Sequence, residues 1–245
     1  MTWSVTRFTC LALVAGFTVA SASVSQADVI GPGSPGGSSD PNISFDPSDT
    51  DDPQERLVGS GPFTISTKQV ATDLTVWGEY LNNNTGGFGA IPSTDDFTLG
   101  FHRETSGGNF NRAADISRAI GGGSRSVSAF GSGPNPDFGN FRWEFDLTGE
   151  NIVLTSGTYI LSLLNDGTPD GSDSLWNWVE SSNSSLGNLA ISPGPGQQFD
   201  TSFTGTTTGG KAFTLQTEVP VPATLGLLGV GLLGLGVAAR RRSMI

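Results

Sequence analysis

The residues that could do chemistry in this chain are few, and most of them are acids. Asp166, Asp170 and Asp173 lie in the run Asn-Asp-Gly-Thr-Pro-Asp-Gly-Ser-Asp at 165–173. Carboxylates gathered by a glycine-containing turn can converge oxygens on a hard cation such as calcium. The same composition serves a simple connection between strands, and the plain loop is the favoured reading. Glu79, Asp95, Asp96 and Glu144 stand near Trp77 and Trp143 and are candidates for paired-carboxylate glycoside hydrolysis or lyase chemistry. That chemistry needs two carboxyl groups roughly 5–9.5 Å apart, a relation that sequence separation does not encode. Trp77, Trp143, Trp176 and Trp178 offer flat faces on which pyranose rings could stack. Trp143 shares its strand face with Phe141 and Phe145 and reads as core. Trp176 and Trp178 follow the acidic run and are the candidate carbohydrate-binding surface.

What is scarce is as informative. The chain has one cysteine, Cys10, and one histidine, His102. That supply excludes zinc sites and Cys–His nucleophiles. A Ser-His-Asp triad would have to use His102, which stands beside Arg103 and Glu104 on the polar side of an alternating run. No G-x-S-x-G elbow accompanies it, so it reads as a surface histidine. The expectation is a chain without enzymatic activity and without a resident cofactor, calcium being the one candidate ion.

The elements that must position these residues are short and alternating. Residues 141–147, Phe-Arg-Trp-Glu-Phe-Asp-Leu, place apolar side chains at every second position with charges between. That is a strand with one face in a core and one in water. Runs 97–101 and 213–215 repeat the pattern, and 159–164 is apolar enough for a central strand. Further strands are expected at 63–67, 73–81, 126–130, 152–155, 174–180, 189–192 and 198–203. Gly, Asn, Asp and Pro punctuate the runs, which points to an all-β, antiparallel β-sandwich of jelly-roll type over 56–217. The only helix candidate in this region is 112–120, ended by Gly121, Gly122 and Gly123.

Residues 28–55 are rich in Gly, Pro, Ser and Asp and read as a flexible acidic linker. Of 23 acidic and 12 basic residues, Glu218, Arg7 and the three terminal arginines fall in the two ends, leaving 22 against 8 in between. So acidic a body excludes a nucleic-acid partner, which requires clustered Lys and Arg.

The two ends give the address. Arg7, an apolar stretch over 8–20 and the small residues Ser25 and Ala27 form a secretory signal peptide, 1–27, cut before Asp28. It implies the Sec translocon and signal peptidase as partners, and its removal takes Cys10 with it. At the other end Val219, Pro220, Val221, Pro222, Ala223 and Thr224 precede an uncharged run over 223–239. In a helix that run spans roughly 25 Å, the lower limit for a bilayer, so a C-terminal transmembrane helix is expected. Arg240, Arg241 and Arg242 then act as a stop signal on the cytoplasmic side. Two prolines that cannot continue a helix keep the preceding segment extended, as a protease requires.

On these residues the segment 218–245 resembles the PEP-CTERM sorting signal of Gram-negative bacteria that make exopolysaccharide. Val221 stands where that family's name-giving Glu would be. The resemblance implies cleavage by an exosortase, a transient stay in the inner membrane, and a final place at the cell surface, outer membrane or extracellular matrix. The body is similar to β-sandwich passenger domains of the same family at 74–80, 95–99, 157–163 and 176–178. The function expected is structural or adhesive, linked to exopolysaccharide in a biofilm setting, with a carbohydrate-binding module as the alternative.

Overall fold

The computed structural model describes residues 28–32, 57–82, 93–106, 108–127, 141–165, 174–179, 181, 190–192, 198–199 and 210–220. All of them fall within the unit Ser25–Val221. The candidate calcium residues Asp166, Asp170 and Asp173, most of the sorting motif from Val221 onward, and Arg240, Arg241 and Arg242 lie outside the described residues.

The spine of the domain is β4 (Gln69–Asn82), a fourteen-residue strand that pairs along both edges. On one edge it carries β15 (Phe213–Glu218) and, further along, β12 (Ser174–Trp178). On the other it carries β9 (Phe141–Asp146) and β10 (Val153–Leu154). β1 (Asp28–Ile30) adds beyond β15, and β8 (Ser124–Val127) beyond β9, completing a seven-stranded sheet. A bulge at Thr72 lets one strand do this. The register against β15 slips between Gln216 and Thr217, so Ala71 and Leu74 both turn inward although three positions apart.

The second sheet has six strands around β11 (Gly157–Asn165) and β5 (Phe97–Arg103), which pair over seven positions. β7 (Ile116–Gly121) extends it beyond β5. β2 (Leu57–Gly59), β3 (Phe63–Ile65) and β13 (Ala190–Ser192) complete the other side. Every pairing among the described strands is antiparallel. The inner faces meet in one core that joins Leu74, Val76 and Tyr80 of the first sheet to Phe97, Leu99, Phe101, Leu161 and Leu163 of the second. Here the alternation in the sequence does what it implied: β9 reads buried, half-buried, buried, exposed, buried, exposed.

The structure departs from the sequence reading in three places. Residues 112–120 are not helical, and 116–121 form strand β7. An apolar stripe of helical period is lacking there, and the unpaired edge of β5 supplies hydrogen bonds that an isolated short helix would have to do without. Gly121 and Gly123, both at positive φ, turn the chain from β7 into β8 of the other sheet. A Cβ on Gly123 would stand 2.6 Å from the Phe145 ring. The linker, second, does not start at Asp28, because residues 28–30 are strand β1. Third, the outer face of the six-stranded sheet is covered rather than wet. A two-stranded ribbon of β6 (Phe110–Asn111) and β14 (Gln198–Phe199) lays Phe110 and Phe199 on Ile160, forming a small second core.

Among the described residues no helix is long and apolar enough to cross a membrane; the expected span at 223–239 is not among them.

Candidate functional site

Sheet geometry separates two of the candidate carboxylates, Glu79 and Glu144. Glu79 and Glu144 share the outer face of the seven-stranded sheet, but Glu144 is opposite Thr75, four positions from Glu79 along β4. At about 3.3 Å per residue that is roughly 13 Å, beyond the range either glycosidase geometry uses. Glu144 is ion-paired with Arg142 at the surface.

Asp95 lies on the opposite, inner side and is fully engaged. It accepts from Tyr80 Oη, from Arg125 Nη1 at 3.0 Å, from Trp143 Nε1 at 2.9 Å and from Asn165 Nδ2 at 3.0 Å. Burial and the neighbouring carboxylate push the Tyr80 phenol up, so it stays protonated and donates. Asp96 is exposed, and its backbone N–H donates to Asn165 Oδ1 at 3.0 Å. Asp95 is thus a buried staple between β4, β8, β9 and β11, its carboxylate spent on four donors.

His102 is not a surface histidine. It is 1 % exposed, because the β6–β14 ribbon covers its face and the Phe199 ring meets it edge-on at 4.7 Å. Its Nδ1 donates to the Asn111 carbonyl at 2.9 Å, which leaves Nε2 to accept from Ser162 Oγ at 2.8 Å. Desolvation holds the imidazole below its ordinary value, so it stays neutral. Gly100 makes room for the pair: a Cβ there would sit 2.5 Å from Ser162 Oγ. A serine and a histidine in contact resemble a nucleophile and its base, yet both are buried under aromatic rings and a backbone carbonyl occupies the orienting position of the acid.

Trp176 and Trp178 are likewise corrected. They are 3 % and 0 % exposed, their rings turned into the sandwich. Trp176 meets Phe97 and Trp143 edge-on, and Trp178 meets Phe213, with its Nε1 donating to the Ala212 carbonyl at 2.9 Å. Their faces are spent on the core, so they offer no platform to a sugar. Residues two apart on a strand share a face, and this face is opposite Tyr80 and Gly78, both inward. Trp77, pointing the other way, is half-buried beneath the Arg142 guanidinium.

A polar patch that the sequence reading missed lies on that outer face. Glu79 and Asn177 are register partners on β4 and β12, both buried, with Asn177 Nδ2 donating to Glu79 Oε1 at 2.8 Å. Lys211, buried as well, donates from Nζ to the Trp178 carbonyl at 2.6 Å. Burial raises the Glu79 carboxyl above the usual range, against the opposing pull of the Asn177 hydrogen bond and of Lys211. The signal available in the sequence was the rarity of lysine: only Lys68 and Lys211 occur.

The last described feature is the way out of the domain. β15 keeps its pairing with β4 to its final residue, Glu218 opposite Val70. Val219, 40 % exposed, and Pro220 then leave the sheet. On the far side of β15, Asp28 is opposite Thr217, so the expected new N-terminus and the exit lie side by side.

The chain's comparison with known families agrees with this division. Residues 218–242 match the PEP-CTERM protein-sorting motif, beginning on the last residue of β15. A sorting motif of exosortase substrates is therefore present near the C-terminus. No curated protein and no solved structure matches the chain.

Proposed function

We propose that this chain is an exported, non-catalytic β-sandwich protein of a Gram-negative surface or extracellular matrix, delivered by its own C-terminal sorting signal. One observation carries the reading: the sorting motif over 218–242 starts where the last strand ends, so folded domain and address label abut without a spacer. In this reading residues 1–27 direct export through the Sec translocon and are removed by signal peptidase. Residues 223–239 hold the chain in the inner membrane, with Arg240, Arg241 and Arg242 inside. An exosortase then cuts near Val219, Pro220, Val221, Pro222, Ala223 and Thr224.

The domain released is acidic, with Glu79 and Glu144 separated, Asp95 engaged by four donors, and Trp176 and Trp178 in the core. Those features support a structural or adhesive role within exopolysaccharide over a carbohydrate-binding module built on the two tryptophans. Fractionating a host with and without its exosortase tests the delivery. The expected result is a shortened surface form in the first strain and a full-length, membrane-retained form in the second. Identical processing in both strains overturns the reading.

A further inference from the structure

The patch on the outer face of the seven-stranded sheet has the makings of a covalent cross-link. β12 and β15 lie end to end along one edge of β4 and meet at Trp77, whose carbonyl accepts from Val179 N at 3.1 Å and whose N–H donates to Ala212 O at 3.4 Å. Between them the chain departs and returns as a zipped stem, with Ser181 N on Gly210 O and Ala212 N on Val179 O, both at 2.8 Å. Lys211 sits in the returning arm and anchors its Nζ on the carbonyl of Trp178, the residue after Asn177. The Asn177 side chain is held from its nitrogen end by Glu79, while its Oδ1 is buried and has no hydrogen-bond partner among the described residues. An amine, a primary amide and a carboxyl group are therefore confined together in one buried spot.

We propose that Lys211 and Asn177 condense into an intramolecular isopeptide bond, with Glu79 as the group that moves the protons. Glu79 takes a proton from the Lys211 ammonium, freeing the Nζ lone pair. Nζ attacks Asn177 Cγ and the Nζ–Cγ bond forms. Glu79 relays a second proton from Nζ to Nδ2, with which it already shares a hydrogen bond, and the Cγ–Nδ2 bond breaks. Ammonia leaves, carrying as ammonium the proton first taken, and the carboxylate is restored. No oxidant, metal or second substrate is needed.

Two physical features favour the step. Burial disfavours charge on amines and carboxylates alike, and the raised Glu79 carboxyl is in keeping with a proton shared between them. The fold also anchors the Lys211 amine on the residue after Asn177, which lowers the entropic barrier of bringing amine and amide together. The product would tie β12 to the segment entering β15 and close the excursion over 177–211, a covalent constraint in a chain whose exported body contains no cysteine. This assignment rests on the domain alone and stands or falls independently of how the tail is processed.

Intact-mass spectrometry of the purified full chain, with its termini fixed by peptide mapping, decides it. The expected mass is lower than the sequence mass by one ammonia, about 17 Da, and trypsin fails to cut after Lys211. Lys211→Arg, Asn177→Ala and Glu79→Gln each keep the full mass, and cleavage after position 211 returns in the Lys211→Arg chain. A wild-type protein of full mass cut normally at Lys211 overturns the proposal. So does loss of ammonia in Lys211→Arg, which would mark cyclisation of an asparagine without any cross-link.

Discussion

Replacing Asp95 with alanine should be among the most damaging single changes available in this domain, and the size of the effect follows from its four partners. The carboxylate accepts from Tyr80 Oη, Arg125 Nη1, Trp143 Nε1 and Asn165 Nδ2, and its side chain is 4 % exposed against 25 % for Arg125. Breaking a buried ion pair by removing one partner costs about 3–5 kcal/mol, because the other charge is left uncompensated. Arg125 keeps a quarter of its side chain in water, which pulls the ionic part toward the lower figure. Three buried donors, Tyr80 Oη, Trp143 Nε1 and Asn165 Nδ2, lose an acceptor, and each such loss costs about 1–3 kcal/mol where nothing replaces it. Because Asn165 also donates to Tyr80 at 2.9 Å, part of that cost is absorbed. These costs overlap, since all come from groups stranded by the loss of one carboxylate, so the expected loss is about 3–5 kcal/mol, the range for breaking a buried pair, or roughly 6–20 °C in melting temperature for a domain of this size.

Urea melts followed by tryptophan fluorescence measure it directly, since Trp143 is one of the partners. Asp95→Asn is the internal control: it retains an acceptor for Trp143 but not the charge facing Arg125, and should fall between wild type and Asp95→Ala. A double-mutant cycle with Arg125→Met then separates the ionic part. If Asp95→Ala unfolds within about 1 kcal/mol of wild type, the staple does not hold the sheets as described, and Asp95 returns as a candidate for chemistry.

Two further outcomes test the reassigned residues. The imidazole of His102 is depressed by burial below its unfolded value of about 6.5, so the unfolded chain binds the proton more readily. Stability is therefore full above that value and falls as the pH drops from about 6.5 toward the folded value, by up to about 1.4 kcal/mol per pH unit for this one group. His102→Gln should flatten that part of a stability-against-pH curve measured by chemical denaturation; an unchanged slope removes His102 as its cause. Trp178→Ala should cost about 3–5 kcal/mol, the range for a fully buried large aromatic. A variant as stable as wild type that loses retention in polysaccharide gels would instead restore the sugar platform.

The sequence by itself determined the alternating strands and the sorting motif at the C-terminal end. Alternation at 141–147 and 97–101 is a local property, since each side chain's face follows from its position on a pleated strand. The tail's signature is also local: two prolines, an uncharged run and three arginines are read from the residues themselves, and the match to a sorting motif over 218–242 needs no fold. What the tertiary structure alone decided is what covers each face. Alternation says that His102 and Glu79 point away from the central core, but not that a ribbon from 110–111 and 198–199 buries the first. Nor does it say that the stem carrying Lys211 brings a lysine to the second. Trp176 and Trp178 obey the alternation rule too, and only the registers that pair them with Tyr80 and Gly78 of β4 turn them inward. Residues 116–121 carry no strand pattern of their own and became a strand because the edge of β5 had unpaired backbone groups to offer. Asp95, Asn177 and Lys211 took their roles from partners far along the chain, up to 98 residues away in the case of Glu79 and Asn177. Contacts at that separation are set by how the sheets close, and no local pattern encodes them.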